Sequence, residues 1–592
     1  MGCSEEVASK CLGYLESLAR RVVDTNHDTP SLVAKFSIAL GMIENAIVTE
    51  ENCGWSFEPS SVDEMCSTGL LGTFIHGLHH GLSEFLPCTG SDPSEVVPER
   101  GNDFTKVDNN SNTRKKVKYI ADEIWARLNC SAVKNITHAQ HLYSFIRYLD
   151  GKSTVKRRVL DCAGVVTCTY CFCQILASDY GHKDLEGVRM CITEDHCFLT
   201  LKDIVCRELT VEVTADNKEK RGLPAEESLW NSWLYAGGHP VICSTNTQAL
   251  VACTMSIDYA ITKSRVSEEL FDLQLNLLRY FYQHAKEEMY PAAISKLATL
   301  EEEAAWDTMV HQPEGLSIAA GHHQTHHQWY RSWSTTVSAI HQAAIDACVT
   351  SSSVVNGWYW YPYSSLATFY FYQNEFYVHL VPDTPGSGSP DSSISGVLES
   401  LESAISTCFS GSNVIAKYIH RPNDEELYKD VEDVIGKMHA AMTMTANVLN
   451  SKGSLSRDSQ GNVFRPELLI MVLQFWDNIC NFFSGKPKPS KWMKQMIQVS
   501  SHFDLETRSH AVQRVALTSW TMQAAAPHLT DMKPRALLPL FEAADPGPAY
   551  TSTRSCDQDR DLDDKTAALP FRKRSSPVPS SRASHRRVRH RT

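Results

Sequence analysis

The chain has 592 residues, 42% of them apolar and 21% charged, which makes it long enough for several buried cores and excludes a disordered or fibrous polymer. Its net charge of −13 is uneven: residues 571–592 carry eight Lys or Arg and no acid, which leaves the body near −21, a balance that repels nucleic-acid phosphate and favours basic partners. No apolar run is seen to reach the roughly 18 to 20 residues of a membrane helix, and no apolar signal core follows Met1, so neither a membrane span nor secretion is expected.

The start Met-Gly-Cys has the form of a lipidation signal, but Glu6 stands where that signal needs Ser or Thr, which argues against it. Nineteen cysteines in a non-secreted chain read as reduced thiols rather than a disulfide framework, and most as small apolar core residues.

Residues 6–50 carry apolar positions at helical spacing, with Thr29-Pro30 as a start signal, and "TGLLGTFIHGLHHGLSEFL" fits a further helix. Residues 89–114, rich in Asp, Ser, Asn and Pro, read as a linker. From about 115 to 230 the texture is mixed. Two helices precede "DCAGVVTCTYCFCQIL", a buried helix ending near Tyr180-Gly181, and the short β-like runs "GVRMCITE", "HCFLTLK" and "RELTVEVTA" follow.

Helices dominate from about 230 to 450, and Pro291 suits the first position of one of them. Consecutive helix pairs of this kind stack as tetratricopeptide repeats do, without a clean 34-residue signature. "HQPEGLSIAAGHHQTHHQWYRSW" reads as a loop-like insertion and "PDTPGSGSPDSS" as a flexible loop. A last helical block runs from "RPELLIMVLQFWDNICNFF" to about 523. The basic tail, with Arg572-Lys573-Arg574 and Arg586-Arg587, is rich in Ser and Pro and is expected to be disordered; it suits nuclear import, loose DNA contact or mere solubilisation.

Three stretches could carry chemistry. Cys168-x-x-Cys171 with Cys173 gives half a zinc pattern on a helix, and His322, His323, His326 and His327 lack a nearby acid or Cys pair, so core cysteines and a solvated loop are the simpler readings and no metal is expected. Cys162 opens a buried helix, and His196 and Glu212 follow on strand-like runs, the order of a thiol nucleophile, its base and an orienting acid in papain- and transglutaminase-like enzymes. The segment before Cys162 lacks the Gly- and aromatic-bearing turn of such enzymes, and Glu is an uncommon third member. In "RPNDEELYKDVEDVIGKM", Glu426, Asp430 and Asp433 fall at i, i+4 and i+7, within about 60° on a helix, beside Leu427, Val431, Val434 and Met438. An acidic row beside an apolar stripe suits a basic, partly apolar peptide, or is simply a solvated face.

"PSLVAKFSIALGMIENAI", "KVKYIADEIWARL", "TEDHCFL", "SWLYAGG", "YPAAISKLATLEE", "RPNDEELYKDVEDV" and "LQFWDNICNFF" resemble the menin family, in that order and over about residues 6–525. The resemblance implies a mostly helical scaffold with no cofactor and no catalytic role. It implies an N-terminal helical region over 1–100, a transglutaminase-like α/β thumb over 101–230 and a tetratricopeptide-like palm over 231–440 with an insertion near 306–350. Helical fingers over 441–525 and the tail over 526–592 complete it. It further implies nuclear localisation and a central cavity. That cavity takes the N-terminal peptide of a mixed-lineage-leukaemia (trithorax-type) histone methyltransferase or a JunD-like transcription factor, and a lens epithelium-derived growth factor-like chromatin reader joins the complex.

Carried over by resemblance, the peptide site falls on Thr193, Asp195 and His196 of the thumb, Leu250, Cys253, Tyr290 and Tyr361 of the palm, and Glu426, Asp430, Asp433 and Val434 of the acidic rim. Ser364 and Ser365 stand where a larger pair is expected, and Leu401 where Trp is expected, which implies a roomier, less aromatic cavity. Cys162 stands where the family has Ser, at or beside the nucleophile position of a true transglutaminase-like enzyme.

Overall fold

The computed structural model describes residues 5–25, 31–48, 58–67, 69–83, 109–128, 140–149, 159–192, 196–202, 208–214, 241–262, 265–311, 323–350, 360–381, 390–416, 425–451, 464–483, 489–515 and 517–530. The basic tail, and with it the import residues Arg572, Lys573, Arg574, Arg586 and Arg587, lies outside these.

The first six helices are α1 (Glu5–Thr25), α2 (Ser31–Val48), α3 (Pro59–Ser67), α4 (Leu70–Ser83), α5 (Asn109–Trp125) and α6 (Leu142–Leu149). α5 begins inside the stretch read as linker, because a polar start does not forbid a helix whose later turns supply Val117, Ile120, Ala121 and Ile124 to the core. The cysteine-rich helix α7 (Cys162–Asp179) comes next. Asp161 caps it, accepting from the Gly164 N–H at 2.7 Å, a contact of the kind that stabilises a helix start by about 1 kcal/mol.

α7 is buried on all sides, which explains why its sequence shows no amphipathic stripe. It is also the described helix long and apolar enough by composition to cross a membrane, contrary to the expectation that no stretch reaches that size. Here it is wrapped by protein. Phe172 meets Phe74 of α4 and Phe145 of α6 with ring centroids at 5.2 and 5.7 Å. The Gln174 amide donates to the Val188 carbonyl at 3.0 Å.

β1 (Val188–Ile192), β2 (Cys197–Lys202), β3 (Glu208–Val211) and β4 (Val241–Cys243) form an antiparallel sheet in the order β3-β2-β1-β4, and α7 packs on β1 and β2. The buried helix followed by strands is the order the sequence predicts for the thumb.

α8 (Asn246–Met255), the short hairpin β5 (Ala260–Thr262) and β6 (Arg265–Val266), α9 (Glu268–His284), α10 (Pro291–His311), α11 (His323–Thr350), α12 (Tyr361–Leu380) and α13 (Pro390–Ile415) follow, and from α8 onward each of these helices packs on the next. The region read as a loop-like His-rich insertion is therefore helical over His323–Thr350. Its later part carries Val337, Ile340, Ala344 and Ile345 at core spacing, and this packing extends the helix back through the polar start. The stretch read as a flexible loop likewise becomes helical from Pro390.

α14 (Glu425–Ser451), α15 (Pro466–Phe482), α16 (Pro489–Ser500), α17 (Leu505–Val515) and α18 (Trp520–Thr530) are the last described elements, so the final helical block extends seven residues past 523, to Thr530. Asp477 of α15 accepts from the Thr518 and Ser519 amides at 3.1 and 2.8 Å, fixing the start of α18.

Two large apolar cores result. One runs from α1 through the thumb into α10; the other joins α12 to α18, and α11 lends Ile340 and Ala344 to the first and Val337 and Ile345 to the second. The fold is mostly α with a small antiparallel sheet, as the sequence led one to expect.

Candidate functional site

The fold assembles Cys162, His196 and Glu212 from three elements. Cys162 is the first residue of α7, where the helix end presents partial positive charge, and it is half-buried. The β2–β3 register, Leu199 opposite Val211, continues to place Glu212 opposite Phe198, with His196 two residues along on the same face. The His196 ring stacks near Phe198 and its Nε2 lies 3.0 Å from Glu212 Oε2. The other Glu212 oxygen accepts from the Thr214 N–H at 2.6 Å and its hydroxyl at 2.5 Å, so the acid cannot swing away. The Cys162 thiol is in hydrogen-bonding reach of the same ring.

The electrostatics follow this geometry. A hydrogen bond from the Cys197 thiol, followed by the hydrogen bond and charge of His196, holds Cys162 well below the usual thiol range in spite of burial. Burial pulls the His196 imidazole down, but hydrogen bonds to Cys162 and Glu212 and their charges outweigh it and push it up to about 10. The arrangement lines up a thiol, an imidazole and a carboxylate, and the shifts favour the charged forms of the first two. Burial raises the neighbouring thiols instead, as at Cys168, and Cys253 is pushed up to about 12; Cys197 is raised first by its hydrogen bond to Cys162 and then by burial. Among the described residues no three His, Cys, Asp or Glu side chains are arranged to hold a metal ion.

The acidic helix looks different. Asp430 accepts from Trp360 Nε1 at 2.5 Å and from Ser364, and burial raises its carboxyl above the ordinary range. Asp433, 41% exposed, pairs with Lys437 at 2.7 Å. Lys437 has alternatives: Thr368 Oγ1 at 3.2 Å and the Tyr372 ring at 5.3 Å. The helix includes Glu426, whose side chain lies outside the described residues, as do Thr193 and Asp195.

Val434 is fully buried in the second core, and Leu250, Cys253 and Tyr290 are buried in the first. Tyr361 is half-buried against the second core. Leu401, where the resemblance expects Trp, is a fully buried core residue, and Ser364 is the hydroxyl that serves Asp430.

The menin family pattern matches residues 101–348 and 397–536, well over half of the chain. The chain belongs to the menin family. A crystal structure of menin, described as revealing the binding site for Mixed Lineage Leukemia (MLL) protein, is 24% identical, with a TM-score of 0.53 over 90% of this chain and 98% of that one. It shares the fold. The family is one of scaffold proteins, so the central expectation about this chain, a helical protein-interaction scaffold with a small α/β thumb, stands.

Sequence reasoning missed Cys197 as the second thiol against Cys162, Thr214 as the clamp on Glu212, and Trp360 as the donor to Asp430. Thr214 had a signal, since the i, i+2 hydroxyl next to an acid is a common local motif. The Trp360–Asp430 contact spans 70 residues and had none.

Proposed function

We propose that this protein is a nuclear scaffold that captures a basic, partly apolar N-terminal peptide of a mixed-lineage-leukaemia-type histone methyltransferase, and so takes part in histone H3 lysine 4 methylation and transcriptional control. The observation that carries the reading is membership of the menin family across both large blocks of the chain. The acidic helix adds physical support. Asp433 reaches solvent, and Lys437 can retreat to Thr368 and the Tyr372 ring when a peptide arginine replaces it.

JunD-like transcription factors are proposed for the same site, and a lens epithelium-derived growth factor-like reader for the assembled complex. The basic tail is proposed to serve nuclear import, with weak DNA contact as its secondary role. The scaffold reading assigns no catalysis to the peptide site.

The test is calorimetric titration of the full chain with the N-terminal peptide of this organism's own methyltransferase, beside Asp433→Lys and Glu426→Lys. Binding that weakens at least about tenfold in the variants and falls with added salt supports the reading. No binding by the unaltered protein overturns it.

A further inference from the structure

We propose that the thumb holds a thiol-nucleophile site for acyl donors, in which Cys162 attacks the carbonyl carbon, His196 carries the proton and Glu212 positions the imidazole. The proposal concerns chemistry that peptide capture does not require, although His196 also stands among the residues assigned to the peptide site by resemblance.

Geometry is the ground for it. A nucleophile, a base within its hydrogen-bonding reach and an acid that orients the base come from α7, the start of β2 and the end of β3, 50 residues apart from first to last. The acid is itself held twice by Thr214. His196 and Glu212 are each 7% exposed, so the base and the orienting acid are sheltered, while Cys162 as a residue keeps some exposure at the start of α7. A structural core cysteine has none of these neighbours. Cys168 and Cys173, about two and three helical turns further along α7, are completely buried among apolar residues, and burial raises both thiols.

The surrounding charges are consistent with a thiolate. From its own turn Asp161 faces Cys162, and burial first, then the thiol itself, pushes this carboxyl well above the usual carboxylate range. Glu44 of α2 adds to that upward push, whereas Gln140 and the Gly164 amide bond the carboxyl and lower it. From β2 and its start come the Cys197 thiol and the His196 ring, and Glu212 stands behind the ring.

The chemistry closes without a further reagent. The thiolate forms a carbon–sulfur bond to an acyl donor as the bond to its oxygen or nitrogen leaving group breaks, and the imidazolium proton passes to that leaving group. Water then attacks the thioester and gives one proton to His196. The acid departs and the thiolate–imidazolium pair is restored.

Two measurements on the full chain test this. The first is the rate of Cys162 alkylation by iodoacetamide from pH 6 to 8, read by peptide mass spectrometry. The expected rate changes less than about threefold, whereas an ordinary thiol with a pKa near 8.5 gains about tenfold per pH unit. His196→Asn is expected to restore the ordinary slope, and Glu212→Gln to move the profile part of the way, with Glu212→Asp recovering it.

The second uses p-nitrophenyl acetate. One equivalent of p-nitrophenolate released in a burst, with acetyl on Cys162 and loss of both in Cys162→Ala, supports the proposal. An ordinary thiol slope in the unaltered protein overturns it, and so does the absence of acetyl on Cys162. Both of these overturning results are read on the unaltered chain, so neither depends on how well a variant folds.

Discussion

Two clusters of ionisable groups sit at helix starts in this protein and have opposite fates. At α7 the groups satisfy one another in a line, Glu212 to His196 to Cys162, and the Cys197 thiol bonds the same sulfur. At α14 the acids are consumed by neighbours on their own fold: Asp430 by Trp360 and Ser364, Asp433 by Lys437. A chain of partners converging on one thiol concentrates reactivity, whereas acids paired one by one become structural, except where a pair is exposed enough to exchange. Asp433 is such a case, and Asp430 is not.

The largest effect that would test this contrast comes from below the Trp360–Asp430 contact. A Cβ on Gly411 would lie 2.5 Å from the Trp360 ring, so Gly411→Ala must displace the indole and is expected to cost about 2 to 3 kcal/mol, read by chemical denaturation. Loss of less than about 0.5 kcal/mol would show that the contact is loose.

Next, Asp430→Ala strips the indole N–H of its acceptor and is expected to cost about 1 to 3 kcal/mol. Asp430→Asn keeps an acceptor and removes the charge. Because burial raises the folded-state carboxyl, the folded protein binds the proton more tightly than the unfolded chain, and the ionised acid weakens the fold as pH rises above the ordinary value near 4. The Asn variant is therefore expected to match or exceed the parent at pH 7 and to lose that advantage towards pH 4. An Asn variant as unstable as the Ala variant at pH 7 would make the charge itself structural.

On the α7 side, Glu212→Gln retains a hydrogen-bonding partner for His196 but not its charge, and Cys162 alkylation at pH 6 is expected to slow about tenfold, equivalent to about 1.4 kcal/mol. The smallest effect on stability belongs to Asp433→Ala, within about 0.5 kcal/mol because the pair is exposed. Its consequence should lie in peptide affinity instead, with a shallower dependence on salt. If Asp433→Ala destabilised the protein as much as Asp430→Ala, the distinction between exchangeable and structural acids would fail.

How far the sequence reached differs between the two clusters for a physical reason. The order of Cys162, His196 and Glu212 was legible because a helix start and a β-ladder impose local rules: one residue opens the helix, and alternate residues share a strand face. The acidic row was equally legible as i, i+4 and i+7, yet its spacing says nothing about what lies opposite. Trp360 and Lys437 settled that, one from α12's start and one a turn further along α14. The His-rich stretch misled because polar residues at a helix start carry no period, and tertiary packing of Val337 to Ile345 holds the helix together.

The sequence by itself determined the mostly helical class, the buried cysteine helix with its strands, and the family, since these rest on periodicity, burial patterns and motifs spread along the chain. Only the tertiary structure decided which charges meet which partners. It set Cys162 against His196 and Cys197, separating one thiol from its buried neighbours, and it closed Trp360 over Asp430. Desolvation and hydrogen bonding act between groups that are distant in the chain, and local patterns do not encode their distance in space.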